Sequence, residues 1–401
     1  MDVKNAFLHG DLKENIYMTP SPGMFTHPSD KVCWLKRSLY GLKQAPRAWF
    51  EKLRTTFLKL KFIQSQYDSS LFLQQTTTGI VALLVYVDDI IITGSDIPLI
   101  EDLQRSLNSE FHMKDLGHLH YFLGLQVHSM PNRISLHQHK YTQEILLLGG
   151  LELGNSVFTP LEINLKLCQN DGELLPDPSI YRQLVGSYLT ITRPDISFAV
   201  QQVSQFLQAP RQPHLAAVRR ILRYLKGTSG RGLFFPADNS LQLTGYSDAD
   251  WAGCMDTRRS VTGWCMFLGN ALISWKSKKQ DRISKSSTES EYRAMSSACS
   301  EIVWLQGLLR ELGFPQHTPT PLHADNTSAI QIATNPVFHE RTKHIEVDCH
   351  YIREALDYNI LTLPHISTEH QTADVFTKAL SRPRHQLMID KLMVLDRPAS
   401  I

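Results

Sequence analysis

The sequence lacks a long apolar run and has no large excess of charge of either sign. Its longest apolar stretch, residues 80–87, is far shorter than the ~20 residues that cross a bilayer as a helix. Lysine and arginine total 41 and aspartate and glutamate total 39, so the composition neither requires nor excludes a nucleic-acid partner. The first residues do not have the form of a secretory signal. We therefore expect a soluble intracellular protein that does not enter a membrane.

The sequence also lacks the paired cysteines of a zinc site or a disulfide framework. Its six cysteines include no C-x-x-C pair. The densest histidine and cysteine group, HIEVDCH at residues 344–350, has no second half elsewhere in the chain. These spacings predict free thiols in a reducing compartment and no structural zinc.

The overall composition is that of a globular protein with a large core. Hydrophobic residues make up 42% of the 401 residues and charged residues 20%. This length predicts two or three domains. Changes in composition divide the chain into residues 1–150, 151–240 and 241–401.

Within the first segment, two adjacent aspartates interrupt the most apolar part of the sequence. In IVALLVYVDDIIITG, Asp88 and Asp89 separate two β-branched runs, which predicts a tight hairpin with the two acids at its turn. Two neighbouring carboxylates in such surroundings repel each other and are costly to bury. A compensating partner is therefore expected.

The middle segment contains a clear amphipathic helix, HLAAVRRILRYLKGT, with one apolar face and one basic face. The basic face carries Arg219, Arg220, Arg223 and Lys226. Two interpretations remain open at this point: a solvated polar face, or a surface that contacts nucleic-acid phosphates.

The last segment has three consecutive strands followed by alternating helices and strands, which predicts a mixed five-stranded sheet with flanking helices. Four acids fall at strand ends or helix starts of this layout, where they can converge: Asp248, Glu291, Asp325 and Asp374, the last at the start of the final helix. Four such acids cannot all stay ionised without cations. Mg²⁺, which prefers oxygen ligands, is the natural partner. Any one of these acids could instead be a helix cap or a surface charge.

Several strings in this segment resemble the ribonuclease H domain of copia-type LTR retrotransposons. They are GYSDADWAGCMDTRRSVTGWCMFLG, SSTESEYRAM, LHADNTSAIQIATNPVFHERTKHIEVDCHYIRE and ISTEHQTADVFTKAL. The resemblance implies that the four acids are the metal ligands of this fold. It leaves out the nearby Asp250 and Glu289, and it does not choose between His365 and His370 as an assisting histidine.

The first segment resembles the reverse transcriptase of the same elements, through MDVKNAFLHGDL, SLYGLKQAPRAWF and YVDDIIITG. The resemblance implies an antiparallel polymerase palm with helices, and hence an α+β and α/β protein overall. Asp2 and Asp88 correspond to metal ligands, and Asp89 is the second acid of the pair. Phe7 corresponds to the aromatic residue that selects deoxynucleotides. Gly41 and Lys43 belong to the turn along the template and nucleotide.

The resemblance implies the reverse transcriptase and ribonuclease H part of a Pol polyprotein. The expected chemistry is templated DNA synthesis and hydrolysis of RNA in RNA–DNA hybrids. The expected cofactor is two Mg²⁺ (or Mn²⁺) ions per active site. Expected partners are an RNA template, an RNA–DNA hybrid, a primer, dNTPs, and integrase and capsid-like parts encoded upstream. If the element is active, the expected locations are cytoplasmic virus-like particles and the nucleus.

The resemblance also implies a fingers region ahead of the first motif. MDVKNAFLHG starts abruptly at that motif, so we expect a truncation that impairs polymerisation more than RNA hydrolysis. The alternative is a catalytically inactive remnant that at most binds nucleic acid. The intact acids favour the enzyme, whereas the missing fingers favour the remnant for the polymerase half.

Overall fold

The computed structural model describes residues 1–24, 31–150, 155–335 and 346–396, so part of the HIEVDCH group lies outside the described residues. The chain packs as two compact units. The first unit comprises Met1–Leu119 with Gly307–Pro315, and the second comprises His120–Gln306 with Gln316–Ile401. The three predicted segments, 1–150, 151–240 and 241–401, stay a prediction.

The first unit is built on a six-stranded antiparallel sheet and a separate two-stranded hairpin. Its strands are β1 (Asp2–Val3), β2 (Asp11–Met18), β3 (Cys33–Arg37), β4 (Ile63–Gln64), β5 (Leu71–Gln75), β6 (Ile80–Tyr86), β7 (Asp89–Gly94) and β8 (Met113–Lys114). The large sheet has the order β4-β5-β6-β7-β1-β8, and β2 pairs with β3. The predicted antiparallel, palm-like sheet is confirmed.

Two amphipathic helices, α1 (Ala45–Lys59) and α2 (Ile97–Phe111), belong to this unit. Pro46 and Pro98 occupy their first turns, where a missing N–H costs nothing. Their apolar faces supply Trp49, Phe57 and Phe111 to the core, where these rings are almost completely buried.

The β6–β7 hairpin differs from its prediction by one residue. Its two turn residues are Val87 and Asp88, whereas Asp89 already belongs to β7 and pairs with Tyr86. Val87 has a φ of 53°, which is unfavourable for a β-branched residue. The Trp49 indole N–H donates to the Val87 carbonyl at 2.6 Å. This contact from α1 holds the turn in a register that local propensity does not favour.

The second unit contains two five-stranded sheets. Its strands are β9 (Tyr121–Phe122), β10 (Leu125–Met130), β11 (Arg133–His137), β12 (Arg231–Pro236), β13 (Leu243–Ala249), β14 (Val261–Leu268), β15 (Ala271–Lys279), β16 (Thr320–His323), β17 (Leu361–Thr362) and β18 (Val394–Asp396). Its helices are α3 (His139–Leu148), α4 (Ser179–Leu184), α5 (Ser197–Ser204), α6 (Gln212–Gly227), α7 (Ser287–Glu311, up to Gln306), α8 (Thr327–Thr334), α9 (Glu346–Asp357) and α10 (Arg382–Lys391).

One sheet is antiparallel, in the order β18-β12-β11-β10-β9, and joins strands that are far apart in the sequence. The other has the order β15-β14-β13-β16-β17. In it, β13, β14 and β15 are antiparallel, whereas β16 runs parallel to β13 and β17 parallel to β16. The predicted mixed five-stranded sheet with flanking helices is confirmed.

The basic face of α6 is largely occupied by contacts within the protein. Arg220 pairs with Glu162 at 2.9 Å and also donates to the Thr159 hydroxyl. Arg223 donates to the Asn155 carbonyl, whereas Arg219 is exposed. These contacts favour a structural use of the face over a surface that follows phosphates.

The segment around Asp374 is a single 3₁₀ turn, Thr372–Phe376, and not the start of the last helix as predicted. The Gln371 side chain ties it to β13 by donating to the Ser247 carbonyl at 2.9 Å. The turn packs directly on Gly263 of β14, where a Cβ would lie 2.6 Å from Thr377 Cγ2. This close packing on the sheet fixes the turn and prevents a regular α-helix.

A buried ionic network joins α6 to the segment before α5. The Arg193 guanidinium donates to both carboxylate oxygens of Asp195, at 2.9 and 2.7 Å, and to the Thr228 carbonyl. Tyr224 donates its hydroxyl to Asp195 at 2.6 Å. Burial alone would raise the pKa of Asp195, but the Arg193 charge and these hydrogen bonds lower it to about 2.

None of the six cysteines, all of which are among the described residues, forms a disulfide. Among the described residues, no helix combines the length and the apolar character needed to span a bilayer.

Candidate active site

Three predicted acids meet in the second unit. One carboxylate oxygen from each of Asp248, Glu291 and Asp325 lies within 4.8 Å of the other two. Asp248 and Glu291 are buried, and Asp325 is partly exposed. Three elements that are far apart in the sequence therefore deliver oxygen ligands to one point.

Each element places its acid for a local reason. Asp248 lies near the end of the central strand β13, and Asp325 follows the parallel strand β16, so both acids are at the same edge of the sheet. Asn326 caps α8 by accepting from the Ala329 N–H at 2.9 Å, which ends the extended chain directly after Asp325. Glu291 lies in the first turns of α7 and accepts from the Ala249 backbone N–H.

Neighbouring hydroxyl groups orient two of the carboxylates. Thr368 donates to Asp325 at 2.8 Å, and Thr377 donates to Asp248. Glu291 is different, because its Oε2 is buried and has no hydrogen-bond partner. A buried carboxylate oxygen without a donor is destabilising unless a ligand or a cation contacts it.

Burial and mutual repulsion shift the protonation of this cluster. Burial, together with the charges of Asp248 and Asp325, raises the pKa of Glu291 to about 9. Burial also raises the pKa of Asp248, although Lys378 opposes the shift. An all-oxygen donor set, like-charge repulsion and an unsatisfied Glu291 oxygen fit a hard divalent cation.

Asp374, the fourth predicted acid, lies beside the cluster but has cationic partners. Its carboxylate pairs with Lys378 at 2.7 Å and with Arg384 at 2.5 Å. Lys378 also approaches Asp248 at 3.5 Å. Burial would lower the pKa of Lys378, but the carboxylates of Asp248 and Asp374 raise it. Lys378 therefore bridges Asp374 to the cluster as an ammonium ion.

The acids and histidines that sequence reasoning left aside have other surroundings. Asp250 accepts from the Val261 backbone N–H, and burial raises its pKa to about 6. Glu289 pairs with Arg293 at 2.7 Å. His365 and His370 are both exposed, so the choice between them stays open. Sequence reasoning missed Lys378 and Arg384, although the spacing of Lys378 four residues after Asp374 was a usable signal.

In the first unit, the strand pairing brings the polymerase-like acids together. Asp2 of β1 is the direct partner of Asp89 of β7, and the Val3 N–H donates to the Asp88 carbonyl at 3.0 Å. Burial and the charges of Asp2 and Asp88 raise the pKa of Asp89. The three side chains do not form a set within 4.8 Å of one another. The backbone thus brings these acids to adjacent positions without closing them into a compact cluster.

The three predicted nucleotide-binding residues lie in the same unit. Phe7 is partly buried, and its ring centroid lies 4.7 Å from that of Tyr40. Gly41 has a φ of 93°, which a residue with a side chain rarely adopts. Lys43 is exposed two residues later. The positive φ of Gly41 is compatible with the predicted turn, and the nucleotide contacts of the three residues stay a prediction.

Comparisons with known proteins identify both the relatives and the extent of the match. A family model described as reverse transcriptase (RNA-dependent DNA polymerase) matches residues 1–163. The Retrovirus-related Pol polyprotein from transposon RE2 of Arabidopsis thaliana is 43% identical over 100% of this chain and 28% of its own length. A transposon Ty5-1 protein of Saccharomyces cerevisiae is 33% identical over 75% of this chain and all of its own length.

Among solved structures, the RNase H1 of the archaeon Halobacterium salinarum matches 34% of this chain and 94% of its own. The sequence identity is 15% and the TM-score is 0.26, which is too low to support an argument. The relationship of this chain to known proteins therefore rests on the sequence relatives. The chain spans about 28% of the length of the Arabidopsis relative.

Proposed function

This chain belongs to the family of Pol polyproteins of copia-type retrotransposons, and from that premise we propose that its second unit hydrolyses RNA in RNA–DNA hybrids. The proposed catalytic and metal-binding residues are Asp248, Glu291 and Asp325, with Asp374 at the edge of the site. The observation that carries the proposal is the convergence of three carboxylates within 4.8 Å, one of them with a buried oxygen that has no partner.

The acids and the threonines of the site have different proposed roles. Asp248, Glu291 and Asp325 would hold divalent ions, which activate water and stabilise the leaving oxygen in phosphodiester hydrolysis when bound. Thr377 and Thr368 keep the carboxylates of Asp248 and Asp325 in fixed orientations.

Lys378 and Arg384 contribute positive charge at the edge of the site. They neutralise Asp374, so the negative charge of the site is concentrated on the three-acid cluster. Lys378 stays protonated because the two carboxylates beside it raise its pKa. Its ammonium group also limits the repulsion of a phosphate that approaches the site.

The test is cleavage of a labelled RNA–DNA hybrid with added Mg²⁺ or Mn²⁺, compared with the same reaction in EDTA. The unmutated chain should cleave only the RNA strand, and Asp325→Asn should lose cleavage by at least two orders of magnitude. Asp238→Asn, which changes an exposed acid outside the cluster, is the matched control and should retain activity. Metal-independent cleavage, or full activity of Asp325→Asn, would contradict the proposal.

For the first unit we propose a reverse transcriptase core that adds dNTPs to a primer on an RNA or DNA template. Asp2 and Asp88 would hold the metal ions with support from Asp89. Phe7 would contact the sugar of the nucleotide, and Gly41 and Lys43 would line its binding turn. The family match over residues 1–163 and the pairing of Asp2 with Asp89 support this proposal.

The second candidate for this unit is nucleic-acid binding without catalysis. It is favoured by the acids of β1 and β7, which do not close into a cluster like that of the second unit. Primer extension on poly(rA) with oligo(dT) separates the two candidates. Extension that is lost in Asp88→Asn supports the polymerase, whereas primer–template binding without extension supports the second candidate.

The proposed partners follow from these activities. They are an RNA template, an RNA–DNA hybrid, a primer and dNTPs, together with integrase and capsid-like parts of a longer polyprotein. The proposed locations are virus-like particles and the nucleus. The length of the Arabidopsis relative supports the longer polyprotein, because the chain corresponds to only part of it.

A further inference from the structure

A large aromatic side chain stands exposed beside the carboxylate cluster. Trp251 follows Asp248 by three residues and lies two residues after the end of β13, and 56% of its surface is exposed. A tryptophan ring at this position offers a large apolar surface to a ligand. No part of the proposed hydrolysis site uses this ring.

The indole N–H of Trp251 is bound to the loop that precedes α7. Its Nε1–H donates to the Ser284 carbonyl at 3.2 Å. The buried Ser284 hydroxyl donates to Gln280, whose side-chain amide donates to the Ser290 carbonyl at 3.0 Å. Ser290 immediately precedes Glu291. The indole N–H is therefore satisfied by the Ser284 carbonyl, and the hydrogen bonds that follow end at Ser290, the residue before Glu291. Only the apolar ring is left for a ligand.

Electrostatics explains why an aromatic contact suits this position. Three carboxylates repel the phosphates of an approaching strand, and Lys378, 3.5 Å from Asp248, offsets only part of this repulsion. An aromatic ring contributes affinity for nucleotides without charge, because it stacks on a base or packs on a sugar. Ile283, which directly precedes Ser284 in the sequence, is also 56% exposed.

We propose that Trp251 is a substrate-binding residue that packs against a base or sugar next to the scissile bond of an RNA–DNA hybrid. The proposal rests on the proposed hydrolysis at the three-acid cluster, and it adds a neutral, stacking contact to that site. The competing role for Trp251 is structural. In that role only its N–H hydrogen bond to the Ser284 carbonyl matters, and the ring contacts no ligand.

The two roles are separated by hybrid binding in EDTA, measured by fluorescence anisotropy in an Asp325→Asn background where no cleavage occurs. Trp251→Ala should weaken binding by roughly 5- to 150-fold, the range expected for loss of one stacked nucleotide. Trp251→Phe removes the N–H but keeps a ring, and it should retain most of the affinity. Equal losses in both variants, or no loss in either, would overturn the proposal.

The salt dependence gives a second criterion. Loss of a ring contact should leave the slope of log K against log salt unchanged, because no phosphate contact is removed. Tyr358→Ala is the matched control. Tyr358 is 77% exposed and precedes β17, at the opposite edge of the mixed sheet from the carboxylates, so its loss should not affect binding. A slope that falls with Trp251→Ala would indicate lost charge contacts and would overturn the proposal.

A measurement on the unmutated residue covers the case in which Trp251→Ala does not fold. RNA with 5-iodouridine at successive positions, annealed to DNA, should photo-crosslink to the peptide that contains Trp251. Crosslinks found only elsewhere would overturn the proposal. Because binding and crosslinking need no cleavage, a chain that binds through Trp251 but fails to cleave would refute the proposed hydrolysis while it supports the contact of Trp251 with the hybrid.

Discussion

Replacement of Glu291 by glutamine should stabilise the metal-free protein while it removes a proposed metal ligand. Glu291 is buried, has one oxygen without a partner, and its ionised form is repelled by Asp248 and Asp325. Glutamine has the same shape and no charge, and its amide N–H₂ can donate to these two carboxylates. The variant therefore exchanges an unfavourable acid for a neutral hydrogen-bonding group.

The size of the effect follows from the protonation of Glu291. Its folded-state pKa is about 9, compared with 4.5 as the usual value, so the folded protein keeps a proton that the unfolded chain releases. Stability from this group is complete below pH 4.5 and is lost as the pH rises towards 9. Between pH 4.5 and 7 the loss is about 3.4 kcal/mol at most, at about 1.36 kcal/mol per pH unit. We expect Glu291→Gln to recover about 2–3 kcal/mol at pH 7.

Urea unfolding in EDTA at several pH values between 4.5 and 8, followed by tryptophan fluorescence, measures this gain. The gain should become small near pH 4.5, where Glu291 is protonated in the folded state and already half protonated in the unfolded chain. Glu289→Gln, in the same helix, is the matched control and should destabilise slightly, because Glu289 pairs with Arg293. A Glu291→Gln chain that is less stable at pH 7, or a gain that does not depend on pH, would refute the reasoning.

Three further perturbations test other parts of the structure. Asp195→Asn leaves the buried Arg193 charge unpaired and should lower the free energy of unfolding, measured in urea at pH 7, by about 3 kcal/mol. Because the pKa of Asp195 is lowered to about 2, the difference from the unmutated chain should shrink between pH 4 and 2. A difference that stays constant over this range would contradict the reasoning. Gly263→Ala places a Cβ 2.6 Å from Thr377 Cγ2. We expect the free energy of unfolding to fall by about 1–3 kcal/mol and hybrid cleavage to slow, because the added methyl group overpacks the site. An unchanged melting temperature would contradict this expectation. Val87→Asn relieves a β-branched residue at positive φ and should raise the melting temperature of the first unit by the equivalent of about 1 kcal/mol, where a decrease would show that the turn is not strained.

The carboxylate cluster could be predicted from the sequence because each acid lies in a recognisable local pattern. Asp248 near a strand end, Glu291 in the first turns of a long helix and Asp325 before a cap are recognisable one at a time. The fold rule that parallel strands end at one edge brings Asp248 and Asp325 together. Asp374 could not be judged in this way, because the partners that occupy its carboxylate include Arg384, ten residues later in α10.

The sequence could not predict features that depend on distant packing. The turn at Val87 and Asp88 is shifted by one residue because Trp49 of α1 holds the Val87 carbonyl. The 3₁₀ turn at Asp374 replaces a helix because it packs on Gly263, more than a hundred residues earlier. Neither tryptophan nor glycine at these positions carries a local signal for the contact that it makes.

The antiparallel sheet of the second unit has a consequence for how the protein is made. Its edge strand β18 pairs Val394 with Leu233 of β12, so more than 150 residues of chain are synthesised between the two partners. On the ribosome, β12 emerges long before the strand that covers its edge, at about 5–20 residues per second. That edge stays open to other strands for roughly ten seconds or more during translation. A translational pause between residues 236 and 394 would lengthen this interval and favour aggregation of the nascent chain.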